Sequence, residues 1–214
     1  MQEQTHEQLV EDRSIKALVE RWQNHLTHKN EYWGIHCTKH PIDWWAYQEI
    51  IYETKPTVII EVGNQYGGTL LWLAHQMDLM GNGMVIGVDV NHEVMDRKAK
   101  EHPRVRLFQG DAEEKFEAVR ELVYSGDRVM VIEDSSHAMG QCLSVLRTYG
   151  SLVTAGCYLI CEDSICYHGL ETGPKPGPWE AIDKFMEGNT EFEMDRSREA
   201  FGLTWNPRGY LRKR

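Results

Sequence analysis

Basic residues are scarce: 23 Lys and Arg stand against 33 Asp and Glu, a formal charge of −10. Nucleic-acid binding needs clustered cations to neutralise phosphates, and this chain offers none. Its one basic group, Arg208, Arg212, Lys213 and Arg214, is short and reads as a solvated tail. Long apolar runs are missing too, so no membrane span is expected. Residues 1–13 are polar and acidic, unlike a signal peptide. Zinc-site spacing is absent: Cys37, Cys142, Cys157, Cys161 and Cys166 include no CxxC pair. Their odd number and apolar surroundings fit buried free thiols in a reducing cytoplasm. Neither an internal repeat nor a low-complexity segment is seen.

What is present centres on Val58-Ile59-Ile60-Glu61-Val62-Gly63-Asn64-Gln65-Tyr66-Gly67-Gly68-Thr69. Four apolar residues around one acid, Glu61, run into a Gly-rich turn and an apolar segment over 70–80, which predicts a buried strand, a turn and a helix. The glycines permit close backbone approach and positive φ. The helix then starts with unpaired N–H groups facing a ligand. A tight strand-to-helix connection with no ligand is the plainer alternative.

Around this stretch the pattern alternates. An amphipathic helix is expected over 6–28, an aromatic-rich loop over 32–41 and a second helix over 42–53. Segment 1–54 therefore reads as a helical lid or oligomerisation extension, and 55–214 as the main domain. Strands are expected at 84–90, 105–109, 129–132 and 157–161, with helices over 139–152 and 179–187. Residues 192–195 and 201–205 read as an antiparallel pair closing the sheet edge. The fold class is α/β, a doubly wound and mostly parallel Rossmann-like sheet of seven strands with a C-terminal hairpin. Ligands of such sheets lie beyond the carboxyl ends of the strands, at the switch point.

The acids sit at those ends. Asp89 closes the second strand, about the 20 residues beyond the Gly-rich turn that a ribose contact uses. Asp111 follows the third strand and either meets a base or caps the next helix. Asp134, beside Glu133, ends the fourth, and Glu162 and Asp163 end the fifth. Carboxylates converging on a small volume repel unless a cation intervenes, so a hard divalent ion such as Mg²⁺, Ca²⁺ or Mn²⁺ is expected on Asp134, Glu162 and Asp163. Helix capping by the same acids is the alternative. His137, on the same turn, is the candidate general base, with Asp134 beside it as the second catalytic candidate.

The strand-one motif, Asp89, Gly110-Asp111 and the two acidic strand ends resemble the class I S-adenosylmethionine-dependent methyltransferases. More narrowly, Trp33-Gly34, residues 39–43, Gln48-Glu49-Ile50-Ile51, EVGNQYGGT, EDSSH, YLICED and the run from GPWEAIDKFM to the C-terminus are similar to the cephalosporin hydroxylase (CmcI-like) and rhamnosyl O-methyltransferase family. The resemblance covers the chain from about residue 30 onward. It implies an O-methyltransferase using S-adenosylmethionine and a divalent metal, acting on a hydroxyl of a small natural product or sugar, and assembled as an oligomer. It places the methionine part of the cofactor at Glu61, Gly63, Asn64, Tyr66, Gly67 and Gly68, the ribose at Asp89 and the adenine near Asp111. In one respect the chain departs from the family: Ser136 stands where an acid often precedes the His. An NAD(P)-dependent oxidoreductase on the same topology would require G-x-G-x-x-G, which the spacing from Gly63 to Gly68 does not supply. A non-catalytic nucleoside-binding oligomer is the third reading, and the acids at 162 and 163 argue against it.

Overall fold

A computed structural model describes residues 13–214, with side chains from residue 15 onward. The expected first helix is present as α1 (Arg13–Lys29), and its predicted portion at 6–12 lies outside the described residues. A two-residue ladder, β1 (Glu31–Tyr32) and β2 (Ile35–His36), leads into α2 (Pro41–Thr54). Local chemistry explains where α2 begins. Pro41 takes the first turn, where no N–H is needed, and the His40 side chain accepts from Ile42 N at 3.3 Å. Lys55 closes the helix in the left-handed region, ahead of Pro56.

Then the alternation sets in: β3 (Val58–Val62), α3 (Gly68–Met80), β4 (Met84–Asp89), the single turn α4 (Arg97–Lys100), β5 (Val105–Gln109), α5 (Ala112–Arg120), β6 (Val129–Glu133), α6 (Met139–Gly150), β7 (Tyr158–Cys161), α7 (Pro178–Met186), β8 (Phe192–Met194) and β9 (Tyr210–Lys213). One seven-stranded sheet runs in the order β5-β4-β3-β6-β7-β9-β8. The first five of these strands are parallel; β9 is antiparallel to both β7 and β8. Strand order reverses between β3 and β6, which makes their tips the switch point.

Helices cover both faces, so the central strands have no polar side. All five residues of β3 are buried. Alternation along the strands sorts the core. Ile59, Met130, Ile132, Tyr158 and Ile160 face α2 and α3, whereas Val58, Ile60, Val129, Val131, Leu159 and Cys161 face α5, α6 and α7. Each fully buried aliphatic side chain contributes about 1.5–3 kcal/mol. A third cluster seats α1, through Val19 and Leu26, on Ile165, Leu170, Leu203 and Trp205.

Two expectations are corrected. Residues 201–205 are not the hairpin partner of β8; Tyr210–Lys213 is. The backbone at 204–206 bonds instead to side chains and loops: Trp205 N donates to Asp43 Oδ2 at 3.0 Å, and Trp205 O accepts from Ile165 N at 3.1 Å. Nor is the basic C-terminus a solvated tail. Tyr210 and Leu211 are buried, with β9 inserted between β7 and β8. All five cysteines are free and buried, as expected. No helix among the described residues is long and apolar enough to cross a membrane.

Candidate active site

At the strand tips, on either side of the switch point, lies a cavity of about 800 Å³. That is the size of a small-molecule site. One wall is the turn between β3 and α3. Gly63 N donates to Val88 O at 2.8 Å, and Gly67 N to Asn64 O at 2.8 Å. Asp89 ties this turn down: its Oδ2 accepts from Asn64 N at 2.7 Å and Gln65 N at 2.9 Å, and its Oδ1 from Asn91 N at 3.0 Å. Gly63, Asn64, Tyr66, Asp89 and Asp111 all line the cavity. Asp111 caps α5 through Glu113 N at 2.8 Å and faces the cavity at the same time.

The glycines are also required by packing within the protein. At Gly63, φ is +91°, and a Cβ there would overlap the carbonyl oxygen of Asp134. At Gly67 it would meet Ala99 and Met95, and at Gly68 it would meet Cys37. Protein, not ligand, fills these spaces. Neither Gly67 nor Gly68 reaches the cavity wall, and neither does Glu61. Glu61 is fully buried beneath the turn, where Asn64 Nδ2 donates to its Oε2 at 2.9 Å and its Oε1 has no hydrogen-bond partner. Burial pushes its carboxyl up to about 8, against the pull of the Lys39 ammonium.

The opposite wall comes from the tips of β6 and β7. Asp134 N donates to Val62 O at 2.8 Å, so the acidic turn is hydrogen-bonded to the Gly-rich one. Strand parity then decides which acid points where. Asp134 and Glu162 continue the registers of Met130–Ile132 and Tyr158–Ile160, toward α2, while Glu133 turns to the other face beside Cys161. Asp163 escapes this alternation because it takes the left-handed conformation, φ 54°, as does His137 at 59°. Bulky residues seldom hold that geometry unless the surroundings demand it. The outcome is a cluster of Asp134, His137 and Asp163, whose ligand atoms all lie within 4.8 Å of one another. His137 Nε2 is 3.4 Å from Asp163 Oδ2 and 3.9 Å from Asp134 Oδ1. Burial would lower the His137 pKa, but the carboxylates of Asp163, Asp134 and Glu133 outweigh it and raise it.

Glu162 is placed differently. It is buried behind this cluster rather than on the cavity wall. Tyr47 O–H donates to its Oε1 at 2.7 Å, and the Lys39 ammonium bonds its Oε2. Lys39 also donates to Asp134 Oδ2 at 2.8 Å. Burial opposes its charge, yet Asp134 and Glu162 keep the Lys39 pKa well above the ordinary lysine range. Burial and the neighbouring Asp134 push Glu162 up, and burial does the same for Asp163. Lys39, Tyr47 and Asn206, whose Nδ2 donates to Tyr47 Oη at 3.0 Å, were not singled out by sequence reasoning. Lys39 stands 95 residues from Asp134 and 123 from Glu162, beyond any local spacing rule.

The carboxylate oxygens of Asp134 and Asp163, with Glu162 behind them, are donors that suit a hard divalent cation, and the His137 ring beside them suits proton transfer. The neighbouring cavity, with carboxylates at Asp89 and Asp111, suits a cationic nucleoside ligand.

Comparison with known proteins gives the family. Residues 24–214 match the family described as Rhamnosyl O-methyltransferase/CmcI. A rhamnosyl O-methyltransferase of Mycobacterium bovis is 36% identical over 191 residues, covering 86% of this chain and 78% of that protein. The corresponding protein of Mycobacterium leprae is 34% identical over 209 residues, covering 92% and 90%. Among solved structures, a CmcI structure with Mg and SAM is similar with a TM-score of 0.68 at 23% identity, over 86% of this chain and 76% of that one. The O-methyltransferase TomG of Streptomyces achromogenes, in complex with SAM, gives 0.59 at 13% identity, over 85% and 80%. At these identities the two structures speak for the fold alone. The chain belongs to the rhamnosyl O-methyltransferase/CmcI family and is an S-adenosylmethionine-dependent O-methyltransferase.

Proposed function

We propose that the enzyme methylates a hydroxyl of a neutral, polyhydroxylated small molecule, a sugar residue in the first place, with the help of a divalent cation. One observation carries this reading: the Gly-rich turn with Asp89 and the cluster of Asp134, His137 and Asp163 open into a single cavity. The composition of its walls supports the acceptor class. Four carboxylates, Asp89, Asp111, Asp134 and Asp163, line it, and no Lys or Arg does so among the described residues. An anionic acceptor would meet these carboxylates and no Lys or Arg side chain. The walls also carry the neutral polar side chains of Gln23, Thr27, Thr38 and Gln141. Gln23 and Thr27 belong to α1, which supports a lid role for this helix. The names of the mycobacterial relatives point to the same class of acceptor.

S-adenosylmethionine brings an electrophilic sulfonium methyl, and a divalent ion, when bound, lowers the pKa of an acceptor hydroxyl and orients it. The chain's own residues do the rest. Asp89 holds the turn that shapes the nucleoside side and accepts from the ribose. Asp134 and Asp163, backed by Glu162, would hold the cation through their carboxylate oxygens. His137 Nε2 takes the proton of the hydroxyl, with Asp163 stabilising the imidazolium. Holding donor and acceptor in one cavity supplies most of the acceleration.

The test is methyl transfer from labelled S-adenosylmethionine to a neutral rhamnoside and to a nucleotide-activated rhamnose, each with and without EDTA. Transfer to the neutral glycoside, abolished by EDTA and restored by Mg²⁺, is expected. Turnover indifferent to EDTA would remove the metal from the reading, and preference for the charged acceptor would overturn the neutral one.

A further inference from the structure

The acids at the tips of β6 and β7 are already met by a cation that belongs to the chain. Lys39 sits one residue before the His40 cap of α2, with its side chain only 3% exposed. Its ammonium bridges Asp134 Oδ2 and Glu162 Oε2, and Tyr47 engages the other oxygen of Glu162. The arrangement is held from several sides. Asn206 fixes Tyr47 and also accepts from Asp163 N at 3.0 Å through its Oδ1. Asp43, on the first turn of α2, is anchored to Thr204, Trp205 N and Tyr210, so the segment carrying Lys39 is pinned to the C-terminal loop.

Three carboxylates, Asp134, Glu162 and Asp163, therefore share one fixed positive charge. Two of their oxygens face it, while Asp134 Oδ1 and Asp163 Oδ2 are not bonded to it and lie 3.9 and 3.4 Å from His137 Nε2, on residues that line the cavity. A divalent ion drawn to those open oxygens has to contend with the ammonium, because like charges a few ångströms apart in a buried site repel strongly.

We infer that Lys39 is a resident cation that competes with the divalent ion for Asp134 and Glu162, holding both carboxylates in place in the metal-free protein and yielding them when the ion binds. This rests on the divalent-ion reading above. Lys39 is a positioning residue: it acts through the carboxylates. A lysine suits the exchange because its ammonium is a point charge on a flexible stem that can withdraw. An arginine, with its planar fork, would keep the carboxylates paired.

The experiment uses the full chain stripped with EDTA, in wild-type, Lys39→Met and Lys39→Arg forms. Mg²⁺ is titrated by calorimetry, and melting is followed in EDTA and in saturating Mg²⁺. Lys39→Met is expected to bind Mg²⁺ at least tenfold more tightly than wild type. It should melt lower than wild type in EDTA and gain more from Mg²⁺. Lys39→Arg should bind Mg²⁺ no more tightly than wild type. If Lys39→Met does not fold in EDTA, recovery on refolding with Mg²⁺ supports the exchange, and failure to recover overturns it. Equal Mg²⁺ affinity in wild type and Lys39→Met overturns the exchange and leaves the divalent-ion reading standing. No Mg²⁺ binding by either protein removes the divalent-ion reading and the exchange with it.

Discussion

Gly63 separates two explanations of a Gly-rich turn: room for a ligand, or room for the next strand. With φ at +91°, an alanine there leaves the favoured regions, at about 1–2 kcal/mol. Its Cβ would also overlap the Asp134 carbonyl oxygen and come within 2.9 Å of Ser135 Cα. Backbone cannot rotate aside as a side chain can, so the tip of β6 has to move, and overpacking of this kind costs about 1–3 kcal/mol. Gly63→Ala should therefore lose roughly 2–5 kcal/mol, or about 4–20 °C of melting temperature for a chain of this size. Gly126 provides the control: its φ is +102°, and a Cβ there meets nothing within 4 Å. Gly126→Ala should show only the backbone part. Scanning calorimetry of both variants isolates the contact. Because the displaced residue is Asp134, Gly63→Ala should also weaken Mg²⁺ binding measured on the folded protein at low temperature. Equal melting of the two variants would refute the contact between the turn and β6 as the reason for this glycine.

Asp89→Ala removes the acceptor for three backbone N–H groups and should weaken S-adenosylhomocysteine binding at least tenfold by calorimetry; unchanged affinity would deny Asp89 its organising role. Asp163→Asn should leave S-adenosylhomocysteine binding within about threefold of wild type, roughly 0.7 kcal/mol, while reducing EDTA-sensitive turnover by two orders of magnitude or more; parallel losses in both would contradict the division of roles. The pH dependence of stability should carry the signature of Glu61. Its folded pKa, about 8, lies above its ordinary value of 4.5. The native state therefore keeps a proton that the unfolded chain releases, and the associated stability, present in full below about pH 4.5, is lost as pH rises through about 8. Each tenfold gain in proton affinity is worth about 1.4 kcal/mol, so the rise from 4.5 to about 8 puts up to about 5 kcal/mol at stake. Urea denaturation of Glu61→Gln should show a flatter decline between pH 5 and pH 8.5 than wild type, and superimposable profiles would show that Glu61 is ionised in the fold.

Much of the architecture was legible because its signals are local. Apolar runs ending in Gly-rich or acidic turns mark β3, β4, β6 and β7, and residues at strand ends belong to the site by topology. The hairpin was misassigned because Phe201 to Trp205 carries a strand's composition, whereas its backbone bonds to Asp43 and the loop near Ile165. Position in the chain marks Asp89 and Asp111, and helix capping by Asp111 is among its sequence readings; that Asp89 pins the Gly-rich turn shows only in the hydrogen bonds.

Sequence alone determined the alternation of the main strands and helices from β3 to α7, the acidic tips and the family, since each follows from periodicity, turn chemistry or contiguous motif. Tertiary structure decided which carboxylates share a cavity and which is buried behind it. That choice depends on strand parity, on the left-handed backbone at His137 and Asp163, and on a lysine 95 residues away from Asp134 in the chain. Electrostatic pairing acts through space and is indifferent to separation along the chain, so a buried cation among three acids is visible only once the chain has folded around it.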